Sequence, residues 1–257
     1  MIFLINDIVS RNSYNNDLLF KIKNIEGRNV LLEGIDERLV ADADISDLKK
    51  EIEVLNEDEE KIEELYREIK LDRDDYFYLP GKVLHIDADK EYLERCINMY
   101  KKMNIMSYGI ISNENDIANI IEENLKKSNP DILVITGHDA KIDENKYKNS
   151  INFIKAIKKA REYEKSQEKL IIIAGACQSN YEELIKAGAN FASSPKRINI
   201  HALDPAIIAS KVALSEKNKP IDLKRIIKST KYKEDGFGGI ITNGTMYQGY
   251  PRWIKTL

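Results

Sequence analysis

Ile132-Leu133-Val134-Ile135-Thr136-Gly137-His138-Asp139 and Leu170-Ile171-Ile172-Ile173-Ala174-Gly175-Ala176-Cys177-Gln178-Ser179 are the two stretches whose reading decides the fold. Each is a run of apolar, largely β-branched residues that runs into a glycine. A strand with one wet face alternates polar and apolar residues. A strand buried on both faces does not, so these runs read as inner strands of a parallel sheet. Just beyond the glycine the first run carries an imidazole and the second a thiol. Ligands of parallel α/β sheets bind outside the carboxyl ends of the strands. The pattern therefore sets His138 and Cys177 along one edge of one sheet. A thiol near a base is the minimum equipment for covalent acyl transfer.

Outward from these runs the chain alternates strand and helix. Strands are expected at 82–86, 107–111, 132–136 and 170–174, and helices at 89–103, 114–127, 150–165 and 180–187. Such alternation gives a parallel sheet with helices on both faces. Short strands are expected at 189–192 and 198–201. Asp204-Pro205 reads as an N-cap and first-turn proline opening a helix to about 214, and a further helix covers 221–229. Gly236-Phe237-Gly238-Gly239 opens a glycine-rich, loop-like tail.

The first part of the chain has a different texture. Asp7–Ser10, Leu18–Ile22, Val30–Leu32 and Arg38–Ala41 are short strand candidates, with Glu26-Gly27-Arg28-Asn29 as a hairpin connection. They predict a small SH3- or tudor-like β-barrel over 1–48. Residues 49–79 are dominated by Lys, Glu, Asp and Arg, with Ile52, Leu55, Ile62, Leu65 and Ile69 at helical intervals. They read as a charged, largely exposed helical linker, closed by Pro80-Gly81. An α/β domain is expected over 80–257.

Composition narrows the function classes. The 257 residues hold 40 basic and 43 acidic side chains, a net charge of −3, which gives no ground for general nucleic-acid affinity. The opening Met1-Ile2-Phe3-Leu4-Ile5 stops at Asn6-Asp7 and lacks the basic region of a signal peptide. No apolar run is long enough to span a membrane. Two cysteines, Cys96 and Cys177, make no disulfide framework, and a reducing, cytoplasmic setting is expected.

Cysteine is among the residues most often buried for packing alone. Cys177, however, follows its strand and has the small neighbours Gly175 and Ala176, and a helix starting near Gln178 would lower the thiol pKa. It reads as a nucleophile. His138 reads as the group that takes the thiol proton and protonates the leaving amine. The backbone N–H groups of Asp139 and Cys177 are candidates for an oxyanion hole. Asp87 and Asp89 follow the first strand and share the site edge, where acids either meet a ligand or cap the next helix. A receiver-like acidic metal pocket would need another acid where the third strand ends in Thr136-Gly137-His138. His201 reads as structural. As the base of a glutaminase-like Cys-then-His order it would follow Cys177 by only 24 residues, with no Glu two residues later.

An apolar run ending in His, then an apolar run ending in Ala-Cys, resembles the caspase, clostripain and gingipain group of cysteine peptidases. There the caspase signature reads Gln-Ala-Cys-[Arg/Gln/Gly]-Gly, with the His roughly 50 residues upstream. Here it is Gly-Ala-Cys-Gln-Ser with His138 39 residues upstream, Asp139 where a Gly usually follows the His, and Ser179 in place of the closing Gly. The strings Val83-Leu84-His85-Ile86-Asp87-Ala88-Asp89, Ile132 to Ala140, Ala174 to Ser179, Ala187 to Pro195 and Asn199 to Pro205 are longer and more specific. With Asp7 to Arg11 and Arg38 to Asp42 in the first part, they resemble the YabG family of sporulation-specific proteases of spore-forming Firmicutes.

That resemblance implies a caspase-like or flavodoxin-like α/β fold and a cysteine endopeptidase that trims spore coat and related proteins, cutting after Arg. It implies protein substrates, no metal or organic cofactor, and a place in the sporulating mother cell and the spore coat. In the related peptidases a charged residue after the first strand selects the substrate side chain before the scissile bond. Asp87 or Asp89 is then expected to pair with that Arg. The competing reading is a non-catalytic scaffold or binding protein of spore assembly.

Overall fold

The structure is a computed structural model that describes residues 2–51, 58–69, 75–144 and 146–252. The chain divides into two compact units, Met1–Glu57 and Asp58–Leu257.

The first unit is a five-stranded antiparallel sheet in the order β4-β3-β2-β1-β5. Its strands are β1 (Ile8–Arg11), β2 (Phe20–Glu26), β3 (Asn29–Gly34), β4 (Val40–Asp44) and β5 (Leu48–Lys50). β2 and β3 form a tight hairpin with Glu26 opposite Asn29, and Gly27 supplies the φ of +63° that the turn requires. Val9, Phe20, Ile22, Val30 and Leu32 point inward and are fully buried. β5, paired with β1, is the strand not anticipated. Leu-Lys-Lys is too short and too charged to show alternation.

The second unit is built on a six-stranded sheet in the order β14-β13-β12-β9-β7-β8. It opens with α1 (Asp58–Glu68), and β6 (Phe77–Leu79) leads into the sheet. The first part of the sheet is β7 (Val83–Asp87), α2 (Lys90–Lys102), β8 (Ser107–Ile111), α3 (Ile117–Ser128) and β9 (Ile132–Thr136). A small hairpin, β10 (Lys141–Asp143) and β11 (Lys146–Tyr147), precedes α4 (Ser150–Tyr163), β12 (Ile171–Ala174), α5 (Tyr181–Lys186) and β13 (Phe191–Ser193). α6 (Asp204–Ala213), α7 (Leu223–Lys228), α8 (Lys233–Gly236), β14 (Phe237–Gly239) and β15 (Tyr247–Gly249) complete it.

The four expected parallel strands and the helices between them form within a few residues of their expected bounds. The reason is visible in the packing. Ile132, Val134, Ile171 and Ile173 enter one core with α2 and α6, while Leu133, Ile135, Ile172 and Ala174 enter a second core with α3, α4 and α5. Every residue of β9 and β12 is buried, so neither strand has a polar face. Fully burying each such aliphatic side chain contributes roughly 1.5–3 kcal/mol.

β8, β7, β9, β12 and β13 run parallel. In chain order this is the doubly wound order 2-1-3-4-5, whose direction reverses between β7 and β9. Helices on the two sides of that reversal lie on opposite faces, the arrangement that in sheets of this kind leaves a crevice beyond the strand ends. Among the described residues, no helix is long and apolar enough to cross a membrane.

Three expectations change. The helix expected within 49–79 is α1, and it is more than a spacer: Ile62 and Leu65 are buried in the core shared with α2 and α6. Ile52 and Leu55 lie outside the described residues. The segment 198–201 forms no strand; it turns into α6, and its backbone wraps Cys177. The glycine-rich tail contains β14, which pairs antiparallel with β13 at the sheet edge.

Two polar groups anchor this unit. Arg161, at the end of α4, donates through Nε to Gly188 C=O, through Nη1 to the carbonyls of Glu164, Ser166 and Leu170, and through Nη2 to Asn190 Oδ1. Burial lowers its pKa to about 10, so it stays charged at neutral pH. Arg161→Met is expected to lower stability by roughly 2–4 kcal/mol, read from urea unfolding, because several carbonyls lose their donor together.

Asp204 is fully buried and accepts N–H bonds from His201 at 3.1 Å and Lys231 at 2.9 Å. Burial nevertheless pushes its carboxyl above the usual carboxylate range. Its contribution to stability is therefore fully present below the unfolded-state pKa and is lost as pH rises through the raised folded-state value. Urea midpoints measured from acid to neutral pH should show that decline in the wild type, and Asp204→Asn should lack it.

Candidate active site

His138 leaves the end of β9 after Gly137 and is held by its backbone on both sides. Its N–H donates to Glu114 Oε1 at 2.8 Å, and its carbonyl accepts from Asn149 Nδ2 at 2.8 Å. The imidazole Nε2 lies 3.1 Å from Asp89 Oδ2, and the Tyr92 ring sits 5.9 Å away, centroid to centroid. Asp89 is buried, and its other oxygen caps α2 by accepting the Tyr92 N–H. An ionised carboxylate only accepts, so this pairing assigns the proton to Nε2 and the lone pair to Nδ1. Nδ1 is buried and has no hydrogen-bond partner among the described residues. One ring nitrogen is thus held by a carboxylate, and the other is left to handle a proton.

Cys177 follows β12, the strand next to β9. Gly175 makes the turn with φ +112°, and a Cβ there would stand 2.3 Å from Ser193 Oγ. Only glycine fits. Gln178 then adopts φ +55°, a left-handed conformation uncommon for its type. The Cys177 side chain is fully buried in the α2–α6 core. Its sulfur receives the Ile200 N–H at 3.3 Å and lies 3.9 Å from Ile200 C=O. Since Nδ1 of His138 has no partner, the imidazole and the thiol are not hydrogen-bonded to each other. They sit on one sheet edge, on neighbouring strands, with the thiol turned toward the Ile200 backbone.

The Asp139 side chain has partners that the sequence did not suggest. Its Oδ1 accepts the N–H groups of Ala140 at 2.9 Å and Asn149 at 2.7 Å. Its Oδ2 accepts from the hydroxyls of Ser150 and, at 2.9 Å, Ser179. Ser179 Oγ in turn accepts the Ala176 N–H, and Ser150 Oγ accepts the Asn180 N–H. One carboxylate therefore ties the loop that carries His138 to the loop that carries Cys177. The N–H groups on either side of Cys177 are engaged, Ala176 with Ser179 and Gln178 with Ile198 C=O.

The two acids expected to read a basic substrate side chain are both buried and hydrogen-bonded. Asp87 is fully buried; its Oδ2 accepts from Thr136 Oγ1 at 2.7 Å and its Oδ1 from the Asp89 N–H at 3.0 Å. Asp89 is engaged with His138 and the start of α2. Neither is presented as a guanidinium fork needs, because buried, already accepting oxygens have few lone pairs left in reach. His201, buried at the start of α6, accepts the Leu203 N–H at Nδ1 and is 2.9 Å from Lys61 Nζ. Glu114 and the hub role of Asp139 had no spacing signal in the sequence. Their partners lie 24 and up to 40 residues away.

Over residues 4–251 the chain matches the family described as YabG peptidase U57. A Bacillus subtilis (strain 168) protein named sporulation-specific protease YabG is 42% identical over 286 aligned residues, which span 98% of this chain and 99% of that protein.

Proposed function

The chain belongs to the YabG peptidase U57 family, and from that membership and the geometry of its site we propose that it is a sporulation-specific cysteine endopeptidase. The observation that carries the cysteine assignment is His138: Nε2 on Asp89, Nδ1 unpartnered, just past the end of the strand beside the one that precedes Cys177. The Cys177 thiol gives its proton to His138 Nδ1 as sulfur bonds to the scissile carbonyl carbon. The resulting oxyanion is met by the backbone N–H groups of Asp139 and Cys177. Collapse breaks the C–N bond, and His138 passes its proton to the leaving amine. Water, deprotonated by His138, then hydrolyses the thioester and restores the thiol. Before the first step Cys177 must leave its contacts with Ile200, and the left-handed Gln178 next to it is where the loop stores strain.

The substrates are spore coat and related spore proteins, cut after Arg, in the cytoplasm of the sporulating mother cell and on the spore coat. The relative's name supports the sporulation setting. The Arg preference rests on the family resemblance. The first unit is an SH3-like barrel that recruits substrate or regulates activity, and no nucleic acid or membrane is a partner. A second reading, a non-catalytic scaffold, draws on the complete burial of Cys177. Iodoacetamide labelling near neutral pH separates the two. On the peptidase reading Cys177 reacts faster than the equally buried Cys96, and the His138→Ala change slows Cys177 alone. Equal, slow labelling of both thiols favours the scaffold.

A further inference from the structure

Beneath the His138–Asp89 pair lies a buried polar network that the proposed chemistry does not use. Tyr100, His85, Thr136 and Asp87 are each wholly buried, on α2, β7, β9 and the end of β7. Tyr100 OH is 3.1 Å from His85 Nδ1, and His85 Nε2 is 2.8 Å from Thr136 Oγ1. Thr136 Oγ1 donates to Asp87 Oδ2 at 2.7 Å, and the Asp89 N–H donates to Asp87 Oδ1 at 3.0 Å.

The donors can be ordered. Thr136 gives its one hydrogen to Asp87, so its oxygen must accept from His85 Nε2–H. With that proton on Nε2, which also lies 3.6 Å from Asp87 Oδ2, Nδ1 of a neutral ring accepts from Tyr100. Every hydrogen bond along the side-chain chain points toward the Asp87 carboxylate, and bonds aligned in this way polarise one another. The end of β7 is pinned further, because the Ser112 N–H donates to Asp87 C=O at 3.0 Å and the Ala88 N–H to Thr136 C=O at 3.2 Å. Burying a carboxylate and an imidazole in a core is unfavourable unless each finds partners. Here the network ends on the backbone N–H of the residue whose carboxylate holds the imidazole.

Resting on the peptidase reading above, we propose that Tyr100, His85, Thr136 and Asp87 are positioning residues: they fix the backbone of Asp89 and so hold its carboxylate on His138 Nε2, keeping the lone pair at Nδ1. None of them meets substrate.

Thr136→Val replaces the hydroxyl by a methyl of the same shape and cuts the chain in the middle. It should lower kcat about 10- to 100-fold with KM little changed, because small misplacements of a catalytic group act on rate rather than on substrate binding. Thr136→Ser should restore most of that loss. Tyr100→Phe, a milder change at the far end, gives a folded second variant should the valine variant prove unstable, and its loss should be smaller but of the same kind. A readout that needs no turnover accompanies these. Long-range proton–nitrogen NMR on nitrogen-15 histidine should report Nε2–H for His138 in the wild type and a mixture of tautomers in Thr136→Val. A wild-type kcat and an unchanged His138 tautomer in a folded Thr136→Val variant would overturn the proposal. An inactive wild type would instead count against the peptidase reading, and the tautomer result would still decide the network.

Discussion

Cys177→Ala and His138→Ala should each lower peptide-bond turnover by about 10³-fold or more, because nucleophile and base act as a unit and loss of one member removes most of what the set supplies. Neither change should disturb the fold. Cys177 occupies a core position, but truncation to Ala removes one sulfur atom, and the backbone turn around it is fixed by Gly175 and by the bonds that Ser179 and Ser193 make to Ala176. His138 is held through its backbone by Glu114 and Asn149, which an alanine leaves in place. Urea unfolding of both variants beside the wild type, together with kinetics on a protein substrate, separates loss of chemistry from loss of fold. A variant that unfolds like the wild type and cleaves like it would remove its residue from the mechanism.

Asp89→Asn is expected to cost nearly as much, roughly 10²- to 10⁴-fold in kcat, by the tautomer argument that applies to the acid of serine protease triads. An asparagine can place its amide N–H against His138 Nε2. The imidazole then carries its proton on Nδ1 and cannot accept one from the thiol. The fold should survive, since Asn is as good an N-cap as Asp, and the Tyr92 N–H keeps an acceptor. The same variant decides between two roles for this acid. If Asp89 orients the imidazole, the loss is similar for every scissile bond. If it reads the residue before the cut, the loss is confined to bonds after Arg, and cleavage elsewhere persists. Asp87→Asn makes the companion test: with Asp87 sealed beneath the site, its cleavage preference should match the wild type even where its rate is lower.

The sheet was readable because burial on both faces leaves its mark in sequence. Apart from Thr136 at its end, β9 is apolar throughout, as is β12, and Gly175 after β12 marks where the backbone must turn. The placement of His138 and Cys177 on neighbouring strands follows from those marks together with the rule for parallel sheets. What the sequence did not disclose depends on pairing over long separations. Asp89 meets His138 across 49 residues, and only because β7 lies beside β9 where the strand order reverses. Nothing in Val83–Asp89 says which of its two acids faces the crevice. The chain decides by leaving the strand: Asp87 is the last residue of β7 and enters a buried network, while Asp89, past the strand end, caps α2 and meets the imidazole. Asp139 looked like a backbone donor because its neighbour was the informative residue; its carboxylate became a hub only when α4 and the Cys177 loop brought Ser150 and Ser179 to it. The Ser179 that departs from the closing glycine of the caspase pattern is thereby given work in this chain. α1 read as a spacer because charge dominates its composition, yet the two apolar residues at helical spacing, Ile62 and Leu65, suffice to seat it in the core.

The central claim is that Cys177 is the nucleophile of an endopeptidase. It is tested most directly by digesting a denatured bacterial proteome with the wild type and with Cys177→Ala and sequencing the new peptide ends by mass spectrometry. New ends gathered after Arg are expected with the wild type, and none above background with Cys177→Ala. The same set of new ends from both proteins would contradict it.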